Sequence, residues 1–177
     1  MNRGEPFSDS DVRAAWNQGA QAWEEFVESG ADFYRHAVHG PALLAACEPL
    51  RGLAVLDLGC GQGFFSRELA RRGARVVGID IAEQLLAYAR RREEHTPLGI
   101  TYHVMSAATM SQHWQLGSFD LVTACMALQD VADVAASLRN AFAVLRVGAG
   151  WSSRCPIPVR IPLCGSGRQT TPARRRC

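Results

Sequence analysis

The spacing of apolar residues changes once along the chain, from a helical rhythm to an alternation of short apolar runs and helices. Apolar residues recur every three or four positions across residues 11–27, which predicts an amphipathic helix behind a cap at Ser8 or Ser10. Residues 31–47 predict two short helices that meet at Gly40, because a proline follows this glycine.

Beyond these helices, short apolar runs alternate with amphipathic segments. The runs are LAVLDL, RVVGI, ITYHV and FDLVTAC, at residues 53–58, 75–79, 100–104 and 119–125. Helices are predicted at residues 62–72, 83–94 and 131–146. Strands that alternate with helices form parallel sheets through right-handed crossovers. The order therefore predicts an α/β fold with a doubly wound, mostly parallel sheet.

Composition limits the kind of protein. The 177 residues are 47% apolar and 20% charged, which suits a globular domain and excludes a disordered or collagen-like chain. No apolar run approaches the roughly 20 residues of a membrane span, and residues 1–10 lack a secretory signal, so we expect a cytoplasmic protein. The cysteines are widely spaced without a C-x-x-C pair, so we expect neither a metal site nor a disulfide framework.

Charge divides the chain after residue 150. Residues 1–150 hold 13 arginines and 17 acidic residues, whereas residues 151–177 hold six arginines and no acid. The tail also carries four of the eight prolines, which exclude a central strand. We therefore predict an N-terminal helical cap at 1–50, an α/β core at 51–150 and an irregular or disordered basic tail at 151–177. The net acidity of the first 150 residues argues against nucleic-acid binding.

The segment VLDLGCGQGFFSREL, at residues 55–69, joins a predicted strand to a predicted helix. Gly59, Gly61 and Gly63 allow a tight turn and the close approach of a ligand, and the following helix offers free N–H groups. Asp80 ends the next predicted strand, where its carboxylate can accept hydrogen bonds from two vicinal ribose hydroxyls. The pattern predicts a site for a cofactor that contains a nucleoside.

Two cofactor classes use a glycine turn of this kind. The dinucleotide fingerprint G-x-G-x-x-G/A needs a third small residue, but Phe64 stands at that position. Asp57 would also repel an anionic pyrophosphate, whereas a cationic or zwitterionic ligand would tolerate it. The residues therefore favour a cationic or zwitterionic ligand over a dinucleotide. An NAD-dependent oxidoreductase stays as an alternative.

The D-x-G-x-G-x-G sequence at 57–63, with an acid ending the second strand, resembles the class I S-adenosylmethionine-dependent methyltransferases. The small-molecule branch that includes quinone-biosynthesis enzymes is the most similar in appearance. The resemblance covers residues 53–148 and implies a Rossmann-like sheet. It also implies S-adenosyl-L-methionine as the cofactor and a small-molecule methyl acceptor as the partner.

The resemblance implies cofactor contacts for eleven residues. Those around the methionine part are Asp57, Gly59, Cys60, Gly61 and Gly63, with Asp57 reaching the ammonium through backbone and water. Those around the ribose and adenine are Asp80, Ile81, Ser106 and Ala107. Those beside the sulfonium are Cys125 and Met126. The family often has an acid where Ser106 and its neighbours stand, so a hydroxyl or a backbone group would have to meet the adenine amino group.

No catalytic residue is identified by a motif. Methyl transfer from a sulfonium is an in-line displacement with a neutral leaving group, so positioning can supply much of the catalysis. A phenol or amine acceptor would gain from a general base, for which His36 and His39 are candidates, although both also suit a solvated segment. The candidates for an acceptor pocket are Trp16, Trp23, Phe33 and Tyr34, although aromatic residues at helical spacing also suit a core.

After Arg146 the chain departs from the family, in which a Pro-Gly-Gly turn leads to a fifth strand. A suitable choice of codons for residues 149–158, read from the last base of the first codon, encodes GLVFSLPHP, a glycine turn followed by an apolar strand. We interpret this as a reading-frame shift between residues 146 and 150 that leaves the sheet incomplete at its C-terminal strands. Such a chain could be a cofactor-binding but inactive remnant. The alternative is a native basic tail that binds an acidic partner.

Overall fold

The computed structural model describes residues 7–146 and contains a parallel sheet with helices on both faces. The strands are β1 (Ala54–Leu58), β2 (Arg75–Asp80), β3 (Thr101–Val104) and β4 (Leu121–Thr123), in the spatial order β3-β2-β1-β4. The helices are α1 (Asp9–Glu28), α2 (Gly40–Cys47), α3 (Phe64–Arg71), α4 (Glu83–His95) and α5 (Val134–Val144). A π-helical turn lies at Arg35–His39, and 3₁₀ turns lie at Met110–Gln112 and Leu128–Asp130.

The sheet is buried on both faces because its strands carry apolar side chains on both sides. Val55 and Leu121 pack with residues of α2, α3 and α4 in one apolar cluster. Leu56 and Val122, the next residues along the same strands, pack with α5 and the first 3₁₀ turn in a second cluster. The predicted doubly wound, parallel α/β sheet is confirmed.

The core elements occur where the sequence predicted them, with differences at their ends. The last helix, α5, begins at Val134 rather than Val131, because the Asp133 carboxylate accepts the N–H of Ala136 at 2.8 Å and caps the helix there. The fourth strand is also shorter than predicted.

The N-terminal helices occur where the sequence predicted them, and the segment before Gly40 is π-helical. Ser8 begins α1 through a capping box, in which its hydroxyl accepts the N–H of Asp11 while the Asp11 carboxylate accepts the N–H of Ser8. The two short helical segments predicted to meet at Gly40 are present, and the first of them is a π-helical turn at residues 35–39 that runs directly into α2. A Cβ on Gly40 would lie 2.1 Å from the Arg35 carbonyl oxygen, so only glycine fits at this junction.

The tail predicted at 151–177 and the proposed frame shift after Arg146 lie outside the described residues. Between residues 7 and 146, no helix is both long and apolar enough to cross a membrane.

Candidate functional site

The turn between β1 and α3 lies at the carboxyl edge of the sheet, and its three glycines have positive φ angles of 60°, 55° and 83°. A Cβ on Gly59 would lie 2.4 Å from the Cβ of Ala127, and one on Gly63 would lie 2.5 Å from the Tyr102 hydroxyl. A Cβ on Gly61 would meet no atom closer than 4.0 Å. Packing therefore requires Gly59 and Gly63, whereas Gly61 faces open space in which a ligand could lie.

Asp80 connects this turn to the end of β2. Its Oδ2 accepts the N–H of Gly61 at 2.8 Å, and its Oδ1 accepts the N–H of Ala82 at 2.8 Å. Burial raises the pKa of Asp80, although these backbone donors act in the opposite direction. Each carboxylate oxygen has a further lone pair, so Asp80 can shape the turn and still accept hydrogen bonds from a ligand.

Asp57 lies beneath the turn. Its two oxygens accept hydrogen bonds from the Ser66 hydroxyl at 2.6 Å and the Thr123 hydroxyl at 2.8 Å. Burial raises the pKa of Asp57 to about 6, and the negative charge of Asp80 acts in the same direction. This carboxylate is therefore a buried link between β1, α3 and β4.

An open cleft of about 750 Å³, counting the space at its mouth, extends from the turn along the carboxyl edge of the sheet. Nine of the eleven residues predicted for cofactor binding line it: Gly59, Cys60, Gly61, Asp80, Ile81, Ser106, Ala107, Cys125 and Met126. The other two, Asp57 and Gly63, are buried and do not line it.

The N-terminal helices supply another wall of the cleft. Val12, Trp16 and Trp23 of α1 line it, and the two indole rings meet edge to face with 5.5 Å between their centroids. Both tryptophans were candidates for an acceptor pocket, and both lie in the cleft.

The remaining N-terminal candidates do not line the cleft. Phe33 and Tyr34 are 64% and 67% exposed, and their rings contact each other outside the cleft. His36 is exposed with its ring against Phe64, and His39 is half-buried. The structure therefore does not bring either histidine to the position that a general base would need.

Arg35 is a cleft residue that sequence reasoning missed. Its side chain is buried, and its Nε donates to the Asp32 carboxylate at 2.7 Å. The guanidinium carbon lies 5.1 Å from the ring centroid of Trp23 and 5.7 Å from that of Phe64, the residue that follows the glycine turn. Its two terminal nitrogens make no hydrogen bond to any residue from 7 to 146. The sequence offered only an arginine in a helical segment, which is not a specific signal.

Gln62 was passed over as a variable position between two glycines. It is 1% exposed and lines the cleft, and its backbone carbonyl accepts a hydrogen bond from Arg92 at 3.1 Å. Neither polar atom of its carboxamide has a partner among the described residues. Buried polar groups are nearly always hydrogen-bonded, so this amide indicates a polar partner that residues 7–146 do not supply.

The loop after β4 completes the cleft. Residues 125–127 and 130–132 line it, and Met126 has a φ of 56°, which is uncommon outside glycine. Asp130 lies at the end of the second 3₁₀ turn, and burial raises the pKa of its carboxyl. Within the described part of the chain, no three potential metal ligands are grouped together.

The fold and the site together define the class of protein. The profile of the family described as "Methyltransferase domain" matches residues 55–148, which is more than half of the chain. The chain therefore belongs to the methyltransferase-domain family, in agreement with the predicted resemblance to the class I S-adenosylmethionine-dependent methyltransferases.

The chain is also similar to individual methyltransferases over part of their length. The ubiquinone biosynthesis O-methyltransferase of Methylocella silvestris is 41% identical over 103 residues, which cover 58% of this chain and 40% of the relative. The chain thus spans less than half the length of this relative. The solved S-adenosylmethionine-dependent methyltransferase of Mesorhizobium loti is 39% identical with a TM-score of 0.54, over 61% of this chain and 49% of that one.

A more distant structure supports the fold alone. The magnesium protoporphyrin IX methyltransferase of Synechocystis, solved with bound S-adenosylmethionine, is 24% identical with a TM-score of 0.62. The match covers 82% of this chain and 74% of that one, so the described helices and strands follow its arrangement over most of their length.

Proposed function

We propose that this protein binds S-adenosyl-L-methionine in the cleft and transfers its methyl group to an oxygen of a small-molecule acceptor. The observation that carries the proposal is one cleft in which the open side of Gly61, the carboxylate of Asp80 and the unpartnered amide of Gln62 come together. The names of the relatives support an oxygen acceptor related to quinone biosynthesis.

The residues of the cleft suit this cofactor in shape and charge. Gly61 leaves room for close approach, and Gln62 offers a donor and an acceptor to the amino-acid end. Asp57 and Asp80 make the turn electronegative, which favours a sulfonium and disfavours a pyrophosphate. When bound, the cofactor supplies an electrophilic methyl group on a positively charged sulfur.

Arg35 supplies a positive charge that can offset the negative charge of the two aspartates beside the turn. The amino-acid end of the cofactor carries a carboxylate, which the two aspartates beside the turn would repel. Arg35 is a cation held against Trp23 and Phe64 at the start of α3, and its terminal nitrogens are not engaged by residues 7–146. A guanidinium binds a carboxylate through paired N–H groups. We therefore propose that the Arg35 guanidinium binds the carboxylate of the methionine part of the cofactor.

The other assignments follow from the order of residues along the cleft. We propose that Asp80 accepts hydrogen bonds from the ribose hydroxyls, with Gly59, Cys60 and Gly61 along the methionine part. Ile81, Ser106 and Ala107 would surround the adenine, with a hydroxyl or backbone group in place of the acid common in the family. Cys125 and Met126 would lie beside the sulfonium. Asp57 and Gly63 act indirectly, by supporting the turn from below.

The N-terminal helical cap is proposed to cover the bound cofactor. Trp16 and Trp23 of α1 line the cleft together with Arg35, so cofactor binding would bury apolar surface of α1. We propose a cap at residues 1–50 and a core from residue 51. The methyl acceptor would then enter through the open mouth of the cleft.

Thermal unfolding with three ligands tests the proposed cofactor. S-adenosylmethionine and S-adenosylhomocysteine should each raise the melting temperature, since a ligand at 100 times its Kd stabilises by about 2.7 kcal/mol. NAD should leave it unchanged. Stabilisation by NAD alone would support the oxidoreductase alternative and contradict the proposal.

Binding and turnover must be measured separately. The chain spans less than half the length of the Methylocella relative, and a cofactor-binding protein without turnover would pass the thermal test. Release of S-adenosylhomocysteine from S-adenosylmethionine, in the presence of catechol as a hydroxyl acceptor, is the expected outcome. Binding of both cofactor forms without release would instead support the inactive remnant.

A further inference from the structure

The cleft contains a carboxylate whose role the cofactor does not explain. Asp130 lines the cleft from the loop after β4, four residues beyond Met126. Its carboxylate makes no hydrogen bond or ion pair with any residue described between 7 and 146. Its backbone N–H donates to the Ala127 carbonyl oxygen. A carboxylate at the edge of a ligand cleft, without a protein partner, can accept a proton from a bound molecule.

Other titratable or charged groups also line the cleft, but each has a different environment. They are Asp9, Arg35, Cys60, Asp80 and Cys125. Asp9 lies in the first turn of α1, where its charge is favourable at the helix N-terminus. Both oxygens of Asp80 accept backbone N–H groups. Burial raises the pKa of the Cys60 thiol well above its ordinary value, which keeps that group protonated and unsuitable as a base.

We propose that Asp130 is the catalytic base of the transfer, accepting the proton of the acceptor hydroxyl that lies beside Cys125 and Met126. This inference rests on the proposed function. As the acceptor oxygen attacks, the oxygen–carbon bond to the methyl group forms and the sulfur–carbon bond breaks, so the electron pair remains on sulfur as a neutral thioether. The hydroxyl proton passes to Asp130 and then to solvent, because this residue lies at the exposed mouth of the cleft.

The environment of Asp130 suits this role. Partial burial raises the pKa of its carboxyl, with no opposing effect from a neighbouring cation. A base whose pKa moves towards the working pH transfers protons more effectively. Arg35, the cation that also lines the cleft, is paired with Asp32 and lies against the rings of Trp23 and Phe64.

Catechol binding provides a test that does not depend on turnover. Catechol is titrated calorimetrically into protein saturated with S-adenosylhomocysteine, for the wild type, Asp130→Asn, Asp130→Glu and the control Glu94→Gln. Glu94 is an exposed carboxylate of α4 that does not line the cleft. Loss of a hydrogen bond to a charged acceptor should weaken catechol binding about tenfold in Asp130→Asn. Binding of S-adenosylhomocysteine should stay within about twofold of the wild type in all four proteins.

Methyl transfer from S-adenosylmethionine to catechol supplies the second measurement. Asp130→Asn should lower its rate by about 100-fold or more, and Asp130→Glu should retain part of the rate. The wild-type rate should fall as Asp130 is protonated at low pH, and Asp130→Asn should lack this dependence.

Three results would overturn the assignment. The first is a saturated wild type that does not bind catechol, and the second is Asp130→Asn with a catechol Kd within twofold of Glu94→Gln. The third is a transfer rate for Asp130→Asn within threefold of the same control. Failure of S-adenosylhomocysteine to bind the wild type is a separate result, and it would contradict the proposed function itself.

Discussion

Two walls of the same cleft are held in place by different kinds of contact. The turn at the carboxyl edge of β1 and β2 is fixed by backbone geometry and by buried carboxylates within residues 57–80. The wall formed by α1 is attached to α4 by contacts between residues far apart in sequence. Arg92 donates to Glu24 at 2.6 Å and also pairs with Glu28, while the Asn17 side chain accepts the N–H of Gln84 at 3.0 Å.

This difference has a consequence for binding. Substitutions in the turn change the shape of the surface that meets the ligand, so their effect should be large and hardly dependent on salt. A substitution of Asn17 at the α1 attachment leaves the turn intact and loosens a cover, so its effect should be small. The ion pairs of Arg92 are partly exposed, and such pairs weaken as salt is added.

The largest effect is expected from Gly61→Val. The valine side chain would fill the open space beside the turn. The backbone φ of 55° at residue 61 is also unfavourable for a β-branched residue. Binding of S-adenosylhomocysteine should become undetectable by calorimetry, while far-UV circular dichroism stays close to the wild type. Gly19→Ala is the control, because its Cβ would meet no atom within 4 Å. A Gly61→Val protein that binds normally would show that the ligand does not approach this glycine.

A smaller loss is expected from Asp80→Ala, which removes the acceptor for Gly61 and Ala82 as well as for the ribose. Hydrogen bonds to a charged acceptor are the strong ones, so cofactor binding should weaken by roughly 2 to 4 kcal/mol. Asp80→Asn keeps one acceptor oxygen and should lose less. Equal affinity for S-adenosylhomocysteine in the wild type and Asp80→Ala would remove the ribose assignment.

A pH effect tests the buried support of the turn. Burial raises the pKa of Asp57 to about 6 in the folded protein from 3.8, so the folded protein takes up this proton at a higher pH than the unfolded chain. The penalty for burying the charge is therefore present above about pH 6 and is relieved as the pH falls. Between pH 7 and pH 5, the wild type should gain about 1 kcal/mol of unfolding free energy relative to Asp57→Asn. Denaturant unfolding at both pH values measures this difference, and a constant difference would contradict the raised pKa.

The turn could be predicted from the sequence better than the α1 wall, because the turn depends on neighbouring residues and the α1 wall on contacts between distant ones. The sheet and the turn follow from local patterns, since apolar strands, glycines and a terminal acid each occupy a short stretch of sequence. Nine of the eleven predicted contact residues accordingly line the cleft. Arg35 and Asp130 were missed because no short motif marks them. Arg35 lies in the cleft through its contact with Trp23 of another helix, and Asp130 lies there because the loop after β4 folds beside the turn. Asp57 was expected near the ligand because its position in the motif does not reveal that Ser66 and Thr123 already engage both oxygens.

The smallest effect is expected at the attachment of α1. Ala82, which precedes α4, provides no side-chain cap, and Asn17 of α1 supplies the missing acceptor to the N–H of Gln84. Asn17→Ala should lower the unfolding free energy by about 0.5 to 1 kcal/mol, as loss of a helix cap does. It should weaken S-adenosylhomocysteine binding by no more than about threefold, because the turn is unchanged. The neighbouring exposed Gln18→Ala is the control. A loss of binding in Asn17→Ala as large as that of Asp80→Ala would mean that the two walls act as one unit, and the distinction between a rigid turn and an attached cover would fail.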